Sequence, residues 1–374
     1  MIIGILKEIK SEENRVSMTP DGVEVMVSRN HQVLVESGAG EKSGFPDDAY
    51  RQSGAEIVTT AKSLYDRADM VMHVKEPQPS EYGLIRPGQI VFTYFHFAAS
   101  EELTRAMINQ RAVCIAYETI TDSAGTLPLL TPMSEVAGRM ATQQAAKYLE
   151  RSQGGRGLLM GGVPGVAPAT VLVIGGGVVG SQAARMACGL GARVYLLDKD
   201  LARLRHLAET MPANCFCLMS SPGTLHELIR EADAVIGAVL VHGAKAPRLI
   251  SRDMLSTMKP GAVLVDVAID QGGCFETSRP TTHRDPTYEV DGILHYCVAN
   301  MPGAVPLTST LALTNATLPY AVKIADQGWR TLARREPGIR DGFNVVGGMV
   351  CCRGVAEAFD LDYVPVDEVL KVKL

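Results

Sequence analysis

Apolar and polar residues alternate along this chain in two rhythms that take turns from one end to the other. Apolar runs of strand length occur at 1–6, 32–36, 70–74, 90–95 and 113–117, and between them stretches at 47–53, 60–66 and 100–110 repeat their apolar residues at helical spacing. Thr19-Pro20 reads as an N-cap followed by proline at the first helical position, opening a helix that carries Val23, Met26 and Val27. The alternation predicts a first α/β domain built on a largely parallel sheet.

A long helix opened by Thr131-Pro132 carries Met133, Ala137, Met140, Ala141 and Tyr148 on to about Glu150 and reads as a connector, ended by the polar, glycine-rich stretch Ser152 to Gly157. The strand–helix rhythm then resumes. Strands at 171–174 and 194–197, and strands ending near Ser220, Val239, Val267 and Val298, alternate with helices at about 200–210, 223–231 and 251–258. That is the pattern of a six-stranded doubly wound domain over about residues 129–306. A further helix from near Thr308 to Gly328, with Pro319 expected to kink it, leads back toward the beginning. Residues 307–374 are therefore expected to complete the domain begun by residues 1–128, so that one α/β domain is inserted into another.

The sharpest signal lies in residues 171–198, V-L-V-I-G-G-G-V-V-G-S-Q-A-A-R-M-A-C-G-L-G-A-R-V-Y-L-L-D. Val171 to Ile174 have the length and β-branching of a buried parallel strand, and Gly175, Gly177 and Gly180 follow at G-x-G-x-x-G spacing into a helix. The glycines serve different physical ends. Gly175 allows the sharp turn, Gly177 lets the backbone approach a pyrophosphate, and Gly180 lets helix and strand pack closely. The phosphates would meet the N–H groups of a helix N-terminus. Asp198, ending the next strand, stands where an adenosine ribose is held. The alternative is a glycine-rich strand-to-helix turn with no ligand; the flanking strands, the helix and Asp198 together favour a dinucleotide site of Rossmann type.

Composition narrows the partners. The 374 residues suggest two domains, and 46% hydrophobic with 21% charged residues is a globular composition. A net charge of −5 without any basic run interleaved with aromatics gives no footprint for nucleic acid or an anionic membrane. The start lacks a basic n-region and an apolar core, and no apolar run reaches the roughly 18 residues of a transmembrane helix, so the expected compartment is the cytoplasm. None of the eight cysteines forms a C-x-x-C pair. They are expected to be buried free thiols, with Cys215 and Cys217 on one sheet face, and no metal site is expected.

Candidate chemistry sits where open α/β sheets keep it, beyond the carboxyl ends of strands. Lys75 follows A-D-M-V-M-H-V, His96 ends I-V-F-T-Y-F, and Arg15 lies in a polar loop among Glu12, Glu13 and Asn14. Position alone equally fits a solvated strand end at Lys75 and a hydrogen-bonded, half-buried histidine at 96. In the second domain Asp270 follows the strand ending near Val267, and Asn300 with Met301 follows the strand ending near Val298. Asp270 before Gln-Gly-Gly could also simply cap a turn, and Asn300-Met301 could form a tight turn into Pro302-Gly303. Taken with a nicotinamide cofactor, the set fits a small 2-oxo or 2-amino acid. Arginine offers a planar fork for a carboxylate and lysine a point charge, while histidine and aspartate can exchange protons.

The start M-I-I-G-I-L-K-E-I-K-S-E-E-N-R-V, the segments V-K-E-P-Q-P-S-E-Y and V-D-V-A-I-D-Q-G-G-C-F-E-T-S, the glycine run from Gly161, and V-A-N-M-P-G-A-V-P with A-L-T-N-A-T-L-P-Y resemble alanine dehydrogenase over nearly the whole chain. The resemblance implies NAD-dependent, reversible oxidative deamination of L-alanine to pyruvate and ammonium in a homo-oligomer, usually a hexamer. It implies substrate binding by Arg15 and Lys75 and proton transfer by His96 and Asp270. NAD contacts are implied at Ser134, Asp198, Arg203, Ser220, Val239, Val267, Ile269, Asp270 and Val298 to Met301, besides the glycines. Arg203 could suggest a 2′-phosphate site, but Asp198 would repel that phosphate, which favours NAD. Two rivals stand: the nucleotide-binding subunit of a transhydrogenase, to which the family is similar in fold, and a dinucleotide sensor without catalysis.

Overall fold

The apolar runs become strands, and their order across each sheet decides where the polar residues between them emerge. In the computed structural model, which describes residues 1–239 and 246–372, the chain lays down β1 (Ile2–Ile5), β2 (Gln32–Glu36), β3 (Glu56–Val58), β4 (Met70–Met72), β5 (Ile90–Thr93) and β6 (Val113–Ala116). It then builds β7 (Thr170–Ile174), β8 (Arg193–Asp198), β9 (Cys215–Met219), β10 (Ala234–Gly237), β11 (Val263–Asp266), β12 (Thr287–Val290) and β13 (Ile293–Tyr296) before returning with β14 (Phe343–Val346) and β15 (Met349–Val350). Two units result, Met1–Met133 with Val305–Leu374, and Ser134–Ala304.

The first unit holds a sheet in the order β15-β14-β6-β5-β4-β1-β2-β3. Neighbours from β3 to β6 pair in parallel, and β14 and β15 join antiparallel. The apolar pattern did not single out β3, which has only three residues, or the terminal hairpin. That hairpin turns on Gly347-Gly348, both at positive φ, the requirement of a tight two-residue turn. The helix Pro306–Gln327 belongs to this unit and runs through Pro319 as one element. Its Thr310 hydroxyl accepts the Val16 N–H at 3.1 Å and lies 3.0 Å from the Ser43 hydroxyl, which ties down the loop after β1.

In the second unit the order is β12-β13-β11-β10-β7-β8-β9. The six expected strands pair in parallel, with β7 between β8 and β10. A seventh corrects the count: β12 pairs antiparallel with β13 across a turn at Asp291-Gly292, both at positive φ. Val171, Leu172 and Val173 are fully buried, as a strand covered on both faces requires. The helix expected over 251–258 is a single turn, Arg252–Leu255. The thiols need a correction as well. Cys114, Cys188, Cys274, Cys297 and Cys351 are buried, whereas Cys215, Cys217 and Cys352 are half-buried. Cys215 and Cys217 lie on β9, the outermost strand, where the side chains of Phe216, Leu218 and Met219 are exposed. Among the described residues no helix is long and apolar enough to cross a membrane.

Candidate active site

In the first unit the loop between β1 and the helix Pro20–Ser28 buries an ion pair. Arg15 is 2% exposed, and both its backbone N–H and its Nε donate to Glu13 Oε1, at 3.0 and 2.6 Å, while Nη2 donates to Glu13 Oε2. Nη1 reaches Met133 Sδ at 3.0 Å. Burial alone would lower the Arg15 pKa, but the hydrogen bond and charge of Glu13 outweigh it and hold it above the usual value. The planar fork expected to meet a substrate carboxylate therefore has its Nε edge committed to Glu13, a partner that sequence reasoning missed.

Lys75 lies three residues beyond β4, which ends at Met72 and is shorter than the apolar run suggested. Its backbone is held from both sides: the carbonyl accepts the Thr93 hydroxyl at 2.9 Å, and the N–H points at Glu8 Oε1 at 3.4 Å. The same Glu8 oxygen accepts the Val74 N–H at 2.6 Å. Lys10 and Glu76, flanking this stretch, form an ion pair.

His96 likewise lies past its strand, since β5 ends at Thr93. The histidine adopts a left-handed conformation, φ 51° and ψ 42°, which non-glycine residues visit rarely. Glu118, just after β6, accounts for the turn. Its Oε1 accepts the N–H groups of Phe95 at 3.1 Å and of His96 at 2.5 Å, and lies 4.0 Å from His96 Nδ1. The imidazole, 45% exposed, stacks 5.9 Å from the Tyr94 ring, whose hydroxyl donates to the Leu129 carbonyl. A carboxylate thus fixes the backbone of an accessible imidazole. Glu118 left no signal in the sequence beyond its place after a strand.

The glycine loop of the second unit is built from backbone. Gly175 turns at φ +100°, and a Cβ there would stand 2.6 Å from the Ala238 carbonyl at the end of β10. This is the switch point, where β8 and β10 leave β7 on opposite sides. A Cβ on Gly180 would sit 1.7 Å from the Gly175 carbonyl, whereas one on Gly177 would meet nothing within 4 Å. Gly177 is also the N-cap of the helix Val178–Gly189, and no side-chain hydrogen bond caps it. Asp198 Oδ2 accepts the Gly176 N–H at 2.7 Å and Oδ1 the Asp200 N–H at 2.9 Å. Arg203 donates from Nε to the Gly176 carbonyl at 2.6 Å, so it braces the loop instead of standing ready for a 2′-phosphate. Ser220 is tied to the same strand, its N–H donating to the Asp198 carbonyl at 2.8 Å.

Asp270 is exposed and lies in a 3₁₀ turn, Val267–Gln271, directly after β11. The turn hangs on Asp266, which is fully buried. Its Oδ1 accepts the Ala268 N–H, and its Oδ2 accepts the Cys274 N–H at 2.9 Å and the Ser278 hydroxyl at 2.5 Å. Burial pushes the Asp266 carboxyl above the usual range, against the pull of those donors. Val239 lies two residues past β10, and Ser134 lies near the start of the helix Thr131–Tyr148. Asn300 turns at φ +58°, and its carbonyl accepts the Gly303 N–H at 2.9 Å. Ile269, Val298 and Met301 are buried.

A cleft of about 290 Å³ in the second unit lies away from the glycine loop, beside Arg252, Glu276, Arg279 and Tyr288. Its arginines are engaged: Arg252 pairs with Asp291, and Arg279 lies over the Tyr288 ring. Among the described residues no group of His, Cys, Asp and Glu is placed to hold a metal ion.

Residues 4–137 match the N-terminal domain of alanine dehydrogenase/PNT, and residues 141–353 match the C-terminal domain. The chain belongs to this family. Within the alanine dehydrogenase/PNT family it is 56% identical to the alanine dehydrogenase of Halomonas elongata over 97% of this chain and 98% of that one. It is 51% identical to the alanine dehydrogenase of Bacillus subtilis over 99% and 98%. A solved L-alanine dehydrogenase superposes with a TM-score of 0.93 at 48% identity, covering 96% of this chain and 99% of the other. A transhydrogenase from Sinorhizobium meliloti superposes with 0.82 at 26% identity, covering 94% and 100%. Identity to the named alanine dehydrogenases is thus about twice that to the transhydrogenase.

Proposed function

We propose that this protein is an NAD-dependent L-alanine dehydrogenase that interconverts L-alanine, water and NAD⁺ with pyruvate, ammonium, NADH and a proton. The single observation that carries this reading is half-identity over full length to proteins named for that activity. The glycine loop fits NAD on three counts: open space at Gly177, an uncapped helix N-terminus, and a carboxylate at the end of β8. In this reading the second unit is the NAD-binding domain, with Gly175, Gly177 and Gly180 at the pyrophosphate and Asp198 at the ribose. Ser134, Arg203, Ser220, Val239, Val267, Ile269, Val298, Asn300 and Met301 lie along the remaining path. The first unit is the substrate domain.

NAD⁺, when bound, supplies the hydride acceptor. The chain's own residues do the rest. The Glu13 carboxylate fixes the orientation of the Arg15 guanidinium, which meets the substrate carboxylate in this reading, and Lys75 adds the second charge. Once the Cα hydride has left, the iminium carbon is attacked by water. His96, accessible and held by Glu118, and Asp270 carry the protons of that addition and of ammonia departure. The chain is read as a cytoplasmic homo-oligomer, a hexamer by its family resemblance.

A spectrophotometric assay tests the proposal. NADH should appear with L-alanine and disappear with pyruvate plus ammonium; binding of NADH without either signal would reduce the protein to a sensor. Exchange of hydride between dinucleotides without alanine turnover would favour the transhydrogenase reading.

A further inference from the structure

Behind Lys75 lies a buried polar cluster for which the proposed reaction has no use. Four segments of the first unit contribute: Glu8 after β1, Tyr65 from the helix Ala61–Arg67, His73 after β4, and Glu81 from the short helix Pro79–Tyr82. The side chains of His73, Glu8 and Glu81 are 1%, 3% and 6% exposed. His73 Nδ1 lies 3.4 Å from Glu8 Oε1, and Nε2 lies 2.9 Å from the Tyr65 hydroxyl and 3.8 Å from Glu81 Oε1. Glu81 is itself fixed, because its Oε2 accepts the Gln78 N–H at 2.8 Å. Burying two carboxylates and an imidazole in one cluster is costly unless they are paired. The arrangement ends on the backbone of Val74 and Lys75, whose N–H groups both point at the oxygen of Glu8 that faces His73.

We propose that His73 is a positioning residue for substrate binding: it fixes the Glu8 carboxylate, and Glu8 in turn fixes the 74–75 backbone from which Lys75 reaches the substrate. The proposal rests on the reading of Lys75 as a substrate-binding residue. His73 touches neither substrate nor cofactor in this scheme. Its influence passes through one carboxylate oxygen and two N–H groups, so it acts on how well the acid is held and leaves hydride transfer alone. Thr93, donating to the Lys75 carbonyl at 2.9 Å, holds the other side of the same peptide. The backbone of residue 75 is thus held between a neighbouring strand and a buried carboxylate.

The experiment compares full-length His73→Gln, Glu8→Gln, the double variant and Lys75→Ala in the pyruvate-plus-ammonium direction, with NADH binding and thermal unfolding measured on each. His73→Gln should raise KM for pyruvate about tenfold, the scale on which sub-ångström misplacement acts, with kcat within about threefold. KM for NADH should not move. Glu8→Gln should act in the same sense, and the double variant should be no worse than the poorer single one, because both act through one chain of contacts. A pyruvate KM within twofold of wild type in His73→Gln, while Lys75→Ala raises it strongly, overturns the proposal and leaves the role of Lys75 standing. An unchanged pyruvate KM in Lys75→Ala overturns the role of Lys75 and this proposal with it. Equal changes in both KM values indicate general loosening and also overturn it. Should His73→Gln fail to fold, Tyr65→Phe removes only the hydroxyl on Nε2. A twofold to threefold rise in pyruvate KM is then the expected result, and no rise refutes the idea.

Discussion

In the second unit the loop proposed to hold the dinucleotide is shaped by what is missing: Gly175 turns at φ +100°, Gly180 leaves no room for a Cβ, and Gly177 leaves open space. In the first unit the proposed substrate groups depend on what has been added. Arg15 is held by Glu13, the 74–75 backbone by Glu8, and His96 by Glu118. A pyrophosphate is recognised by N–H groups that any residue type supplies, so only the backbone path needs to be specified. A small carboxylic acid must be recognised by charges, and buried charges need partners of their own. The first strategy is sensitive to added volume and the second to lost charge.

Gly180→Val tests the first half most severely. A Cβ 1.7 Å from the Gly175 carbonyl meets backbone that cannot move aside, so NADH binding and turnover should both disappear. Retained NADH fluorescence enhancement would show that close packing there is not required. Next comes His96→Ala, where loss of a general acid–base group should cut kcat by about 10²–10⁴ while leaving the NADH dissociation constant within twofold. Near-full turnover would remove His96 from the proton path. Glu13→Gln should then destabilise the fold by about 3–5 kcal/mol, the cost of leaving a buried guanidinium without its countercharge, and should raise KM for pyruvate. Denaturant unfolding measures the first effect, and an unchanged midpoint would mean that Arg15 finds another partner. Gly177→Ala is milder: thermal stability should fall by no more than about 2 °C, yet NADH should bind about tenfold more weakly, because the new methyl enters space left for the ligand.

The same contrast explains what could be read from the sequence. Glycine spacing and the Asp198 position survive in a one-dimensional text, because Gly175, Gly177 and Gly180 fall within six residues and their roles depend on local backbone. The parallel strands were legible for a related reason, since Val171 to Val173 are apolar at every position. Of the four sheet edges only β9 was legible: β3 has three residues, and β12 and β14–β15 depend on tight turns at Asp291-Gly292 and Gly347-Gly348. Glu8, Glu13, Glu81, Glu118 and Asp266 were invisible for a deeper reason. A carboxylate in a polar loop reads as solvated, and only the fold shows that these five are mostly covered and face buried N–H groups or cations. Lys75 and His96 were placed near strand ends, but the residues that hold them come from segments 67 and 22 positions away.

The smallest effect expected here separates the two strategies by pH. Burial alone would lower the His73 pKa, but the hydrogen bond to Glu8 and the charges of Glu81, Glu8 and Glu36 outweigh it and hold it above the ordinary histidine value of 6.5. Tyr65, the remaining group against the ring, stays neutral, since burial raises its own pKa well above the usual value. A folded-state pKa raised above the unfolded one means that the native state binds the extra proton more tightly. The stabilisation is therefore complete below about pH 6.5 and fades as pH rises through the higher folded value. Glutamine at position 73 cannot take up that proton. The difference in Tm between wild type and His73→Gln should thus be largest near pH 6 and shrink by a few degrees toward pH 9. Gly177→Ala, which alters no titrating group, should show a Tm difference from wild type that is flat over the same range. If the His73→Gln difference were equally flat, His73 would have the same pKa in the folded and unfolded chain. The cluster behind Lys75 would then be held by hydrogen bonds alone, and the division between a backbone site and a charge-supported site would narrow to Arg15 and His96.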